Sequence, residues 1–165
     1  MKKKRFLLLL ILVIIAGIVN SCKSDNQSPI HALFTTGTWQ LASVTRTYFT
    51  GNTIDSTKKL DTACTLSQFF TFNSNGTCTY TNFDCVAQPV ASGKWSLTAN
   101  QLYLVSDIVC KDSTKAGSSS PFTNAEIYNL GQYSLVLITG DVQPNYSLTK
   151  QRQQVQYGFI RQKTQ

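Results

Sequence analysis

Residues 64–104 read "CTLSQFFTFNSNGTCTYTNFDCVAQPVASGKWSLTANQLYL". Apolar or aromatic side chains recur at every second position on both sides of "NSNG" (73–76), and again on both sides of "TAN" (98–100). A period of two interrupted by Asn-Gly or a short polar turn is the pattern of consecutive antiparallel hairpins. The stretch therefore predicts four strands, at 66–73, 77–83, 91–97 and 101–107.

The same reading extends outwards. Threonine-, tyrosine- and valine-rich segments predict strands at 37–48, 124–130, 132–139 and 153–162, with "LGQ" (130–132) as a third tight turn. No stretch carries a helical period. The connections 49–65, 84–90, 108–123 and 140–152 are long and polar, and one contains "KAGSSSP" (115–121). "NYSL" (145–148) is compatible with either a loop or a short extra strand. Tight and long connections alternate strictly, and in an up-and-down meander alternate connections lie at opposite ends. All tight turns then share one end and all long loops the other. An eight-stranded sheet of this kind can close on itself and remove both exposed edges.

The N-terminus sets a different constraint. "MKKKR" carries four charges, Phe6 to Val19 is apolar apart from Gly17, and "NSC" follows. This is the layout of a secretory signal, too short at fourteen residues for the roughly 20 that span a bilayer. "VNSCKSDNQSP" resembles a bacterial lipobox, which implies that residues 1–21 are removed and that Cys22 carries the lipid. Removing 1–21 leaves eleven basic against eight acidic side chains, a net charge of +3 rather than +7. The high isoelectric point belongs to the targeting signal, and no nucleic-acid partner follows from it. The remaining 144 residues make one domain, 37–165, behind a polar tether, 22–36, that holds the sole histidine, His31.

Both tryptophans sit in a Gly-x-Trp-x-Leu segment, "TGTWQL" around Trp39 and "SGKWSL" around Trp95. Each is expected to point inward at the tight-turn end, with a leucine two residues later on the same face. Phe70, Phe72, Leu97, Leu137 and Phe159 are expected to join Trp95 in the barrel interior.

Gly37-Thr38-Trp39 on the first strand, the eight-strand meander and Arg161 on the last strand resemble the lipocalins and related calycin-like barrels. The stretch 64–104 is similar to the lipocalin-like domain of many lipoproteins of Bacteroidetes-type bacteria. The resemblance implies that Trp39 plugs the barrel floor and that Arg161 stacks across it. It also implies non-catalytic binding of a small apolar ligand at the long-loop mouth. The alternative is a structural or protein-interaction module whose barrel is filled by its own side chains. Either way a monomer in the cell envelope is expected, held in membrane lipid through Cys22. The outer membrane is favoured because Lys23 stands where an aspartate accompanies inner-membrane retention. "DST" (55–57, 112–114) and "DTA" (61–63) resemble the O-glycosylation site of exported proteins from such bacteria, making Ser56, Thr62 and Ser113 candidates. Aspartate and threonine are also ordinary loop residues.

Four cysteines follow Cys22, with no Cys-x-x-Cys pair and no neighbouring histidine, so no metal site is expected. In an exported chain disulfides are the default. If "NSNG" is a four-residue loop, Phe72 faces Thr77 and facing positions sum to 149, as do Cys64 and Cys85. A bulge at Gly76 would shift this by one. The family pattern also brackets this hairpin with two cysteines. Cys110 is expected to end the fifth strand at the long-loop end and Cys78 to begin the third at the other, so a bond between them is awkward and at least one free or buried thiol is expected. With His31 in the tether, a Ser-His or Cys-His nucleophile has no base. No phosphate loop or cofactor motif is present, and the chain is not expected to be an enzyme.

Overall fold

The computed structural model describes residues 28–88 and 90–162. The signal segment, Cys22 and the start of the tether lie outside the described residues. A helix α1 (Pro29–Thr35) precedes eleven strands: β1 (Thr38–Thr50), β2 (Thr53–Lys59), β3 (Phe69–Phe72), β4 (Thr77–Thr81), β5 (Ala91–Leu97), β6 (Tyr103–Ser106), β7 (Cys110–Lys111), β8 (Ser118–Ser119), β9 (Ala125–Leu130), β10 (Ser134–Gly140) and β11 (Gln151–Arg161).

Eight of these strands run antiparallel in the order β11-β10-β9-β6-β5-β4-β3-β1, and β1 pairs with β11 to close the barrel. Closure is the strongest seam in the molecule, running from Trp39 opposite Arg161 to Thr50 opposite Gln151. A bulge at Ala42 lets Leu41 face Phe159 and Val44 face Tyr157. The extra residue restores the alternation, so that Trp39 and Val44 are both buried although an odd and an even position would otherwise face opposite ways.

Three segments differ from the sequence expectation. Residues 29–35, expected as part of the tether, form α1. Ser28 caps the helix by accepting from the His31 N–H, and Pro29 occupies the first turn. Phe34 is the helix's only buried residue, so seven residues show no recognisable period. In the expected loop 49–65, "TIDSTKK" forms β2, exposed along its whole length, which leaves no apolar alternation to read. It pairs with β1 from Thr45 to Thr50, where β1 and β11 overhang the barrel, while β3 takes the other end of β1 from Thr38 to Gln40. The small β7–β8 hairpin lies in the expected loop 108–123, and residues 145–148 form no strand.

The two Gly-x-Trp segments share a spelling but not a reason. Gly37 adopts φ +89, a left-handed turn between α1 and β1. Gly93 has ordinary backbone, but a Cβ there would lie 2.7 Å from the Ile108 Cα. On the inward face of β5 glycine admits a second layer of chain. Both indoles nevertheless lie at the tight-turn end. Trp39 is fully buried and donates its Nε1–H to the Phe34 carbonyl at 3.1 Å; Trp95 donates to the Asn73 carbonyl at 3.0 Å. Phe34 packs 5.5 Å from Trp95 and 5.0 Å from Phe72, while His31 stacks on Trp95 at 4.8 Å. Helix α1 is therefore the cap of the closed end.

Inside, Phe70, Phe72, Leu137, Phe159 and Trp95 are buried, and Leu97 packs partly buried against them. Tyr80, Phe122, Leu104 and Leu135 complete a bore filled with side chains. Each fully buried phenylalanine or leucine contributes roughly 1.5–3 kcal/mol relative to exposure.

Candidate ligand cup at the barrel mouth

The filling stops short of the long-loop end. There a cavity of about 400 Å³ opens between the segments that follow β2, β4 and β6 and the walls of β1, β10 and β11. Its lower wall is apolar: Val44, Phe83, Pro121 and the Cys64–Cys85 disulfide. Its rim is polar, with Arg46, Asp61, Asp84, Asp112 and Thr139 around the Tyr157 ring.

The disulfide links the two loops that frame one side of this cup, with the Cα atoms 5.5 Å apart. The pairing is as expected, but the hairpin register is shifted by one. Phe72 faces Cys78, not Thr77, because five residues and not four separate the last facing pair, with Gly76 at φ +79 and the Asn73 N–H donating to the Thr77 carbonyl at 2.8 Å. Both half-cystines lie beyond the paired ladder, where the loops have slack to absorb one position. Cys78 and Cys110 are both free and buried. Cys110 belongs to β7, with its side chain in the core, and not to the end of the fifth strand as expected.

The rim is held by hydrogen bonds between loops. The Ser113 N–H and Oγ–H both donate to Asp84 Oδ2, at 2.9 and 2.5 Å. Asp84 sits at φ 52 between Asn82 and Cys85, which are also left-handed, in a turn tightened by the disulfide. Gln88 accepts from the Lys111 N–H at 2.9 Å and donates to its carbonyl at 3.5 Å. Hydrogen bonds from the Ser119 and Thr114 side chains hold the Asp112 carboxyl below the usual carboxylate range. Burial pushes the Tyr157 phenol up to about 12, against a hydrogen bond with Thr139 that acts the other way. The buried Arg46 Nε–H has no hydrogen-bond partner among the described residues.

These groups can bind and orient a molecule. No histidine stands among them, because the sole histidine, His31, stacks on Trp95 at the opposite end. Among the described residues no group of three or more His, Cys, Asp or Glu could hold a metal ion.

The expected closing pair is found at the floor. The Arg161 guanidinium lies 4.4 Å from the Trp39 ring centre and its Nη2–H donates to the Leu33 carbonyl at 2.5 Å. Of the candidate glycosylation residues, Ser56 and Thr62 are exposed, and Ser113 is exposed but engaged by Asp84. The sequence reading missed Arg46, Phe83, Phe122 and Tyr157. Only Phe122 left a trace, as the single large apolar residue in the polar run 113–124.

A search of the curated proteins finds no match to this chain. The family model of the lipocalin-like domain matches residues 35–137, from the last residue of α1 into the seventh strand of the barrel, more than half of the sequence. With the closed eight-stranded barrel, that match shows that the chain belongs to the lipocalin-like domain family.

Proposed function

We propose that this protein is a lipid-anchored envelope protein that binds a small, mainly apolar molecule in the mouth cup without transforming it. The observation that carries the reading is the cup itself, an open cavity of about 400 Å³ with an apolar lower wall in an otherwise filled barrel. Lipocalin-like proteins are typically binders and not catalysts, in keeping with a rim of hydrogen-bonding groups that holds no histidine.

Orientation supports the anchoring half of the proposal. The described chain begins at Ser28, beside the closed end, six residues after Cys22. Six residues reach at most about 20 Å when extended, so acylated Cys22 would hold the closed end towards the bilayer and leave the mouth facing away.

The filled bore favours a second reading, in which the barrel is a rigid module and its loops contact another envelope component. Native mass spectrometry of protein purified from its own membranes, with a denatured extract run alongside, separates the two. A bound small molecule lost on substituting Val44→Trp supports the cup. A bare chain that co-purifies with a second protein supports the module.

A further inference from the structure

Phe122 is fully buried although it belongs to a polar loop. Its carbonyl accepts from the Ser106 N–H at 2.9 Å, which turns the loop inward at the end of β6. From there the ring crosses the bore. It lies 4.8 Å from Phe70 on β3, 5.7 Å from Tyr80 on β4 in a stacked arrangement, and 5.1 Å from Tyr157 on β11. Its fourth aromatic neighbour is Phe83, at 6.2 Å.

Phe83, Tyr157 and the adjacent Pro121 all line the cup, so the Phe122 ring packs behind two of the rings that bound it. Under it are Phe70, Tyr80 and then Phe159. The wall is adapted to this insertion: Gly93 leaves room for Asp107 and Ile108 to pass inside β5, where a Cβ would meet the Ile108 backbone. The Asp107 N–H donates to the Lys94 carbonyl at 3.2 Å and Asp107 Oδ1 accepts from the Lys94 N–H at 2.5 Å. The segment that brings Phe122 into the bore is thus bonded to the wall it passes.

We propose that Phe122 is the specificity-determining residue of the cup: it fixes the depth of the cavity, and with it the longest apolar chain the protein accepts. The inference rests on the reading of the cup as a ligand site. A ligand gains about fourfold in affinity for each methylene it buries, and gains nothing for methylenes left in water. A floor at Phe122 therefore sets a chain length beyond which affinity stops rising.

The test is calorimetric titration of the straight-chain primary alcohols, butanol to dodecanol, whose uncharged heads leave the rim carboxylates and Arg46 out of the comparison. Wild type is expected to gain affinity along the series and then level off. In Phe122→Ala the levelling moves to longer chains by at least two methylenes, making dodecanol at least about tenfold tighter. Phe122→Leu, which keeps most of the core packing, should fall between, and Tyr128→Ala on the outer wall should match wild type. Near-UV circular dichroism confirms that each variant is folded, and the Leu variant decides the matter if the Ala variant is not. Levelling at the same length in every folded variant, or no levelling in wild type, overturns the role of Phe122 while leaving the cup a binding site. No binding of any alcohol to any folded variant overturns the cup as an apolar site, and this inference with it.

Discussion

Arg161 and Trp39, 122 positions apart in sequence, face each other across the β1–β11 seam, and the guanidinium that covers the indole also holds the last turn of α1 through the Leu33 carbonyl. One side chain thus joins the first strand, the last strand and the cap. An arginine over an aromatic face contributes about 0.5–2 kcal/mol, and a hydrogen bond from a charged donor about 1.5–3. Arg161→Ala should cost about 2–4 kcal/mol in chemical denaturation, and Arg161→Lys less than half of that. Alcohol binding at the mouth should be unchanged, since the floor and the cup lie at opposite ends.

The Cys64–Cys85 bridge closes a loop of 21 residues. A crosslink of that span contributes about 3 kcal/mol by the chain-entropy account. Because it also joins two walls of the cup, the Cys64→Ala, Cys85→Ala double variant should lose both stability and ligand affinity. Peptide mapping without reduction should recover the 64–85 pair, and a 64–78 pair would refute the fold's account of this hairpin.

Replacing Cys22 with serine tests the anchor. A lipid chain contributes about 0.8 kcal/mol per buried methylene, and no helix among the described residues is long and apolar enough to cross a membrane. Cys22→Ser should move the protein from the membrane pellet to the soluble fraction after a high-salt wash. Retention in the pellet would count against the lipid anchor.

Burial raises four ionisable groups of the core: Cys78, Cys110 (to about 12), Tyr80 and Tyr157 (to about 12). In the unfolded chain thiols and phenols ionise at their ordinary values, near 9.0 and 10.0. The unfolded state therefore loses protons first as pH rises, and stability falls with it. Their contribution is complete below pH 9.0 and declines as pH climbs towards about 12. Thermal melts should show a falling midpoint over that window. On a Cys22→Ser chain, a thiol-exchange reagent at about pH 8 should react with neither cysteine until the protein is unfolded.

Gly93→Ala should be disruptive out of proportion to one methyl group. The new Cβ would meet backbone atoms of Ile108 at 2.7 and 2.8 Å, and backbone cannot swing aside as a side chain can. A loss of about 2–4 kcal/mol is expected. Hydrogen exchange should show loosening concentrated in residues 107–124. Loosening spread evenly through the barrel would mean that the segment is not seated through this glycine.

The barrel was legible in the sequence because its information is local. Alternation along 69–72, 77–81 and 91–97 marks strands one residue at a time, and the strict succession of tight and long connections assigns each loop to an end. Trp39 and Arg161 could be paired because their places on the first and last strands match the resemblance to the lipocalins. The Cys64–Cys85 pair survived a one-residue register error because disulfide-linked loops tolerate what a ladder does not. Helix α1 and strand β2 were hidden for a related reason: one buries a single residue and the other none, so neither carries a period. What occupies the bore was a different kind of question. Nothing in the run "KAGSSSPFTN" says whether its phenylalanine faces solvent or core, because the answer depends on the space left by Phe70, Tyr80 and Tyr157, which come from three distant strands. Sequence periodicity determined the wall, since a strand's two faces follow from its own residues. Only tertiary packing could decide how much of the interior remained open, since empty volume belongs to no residue and arises only where all of them meet.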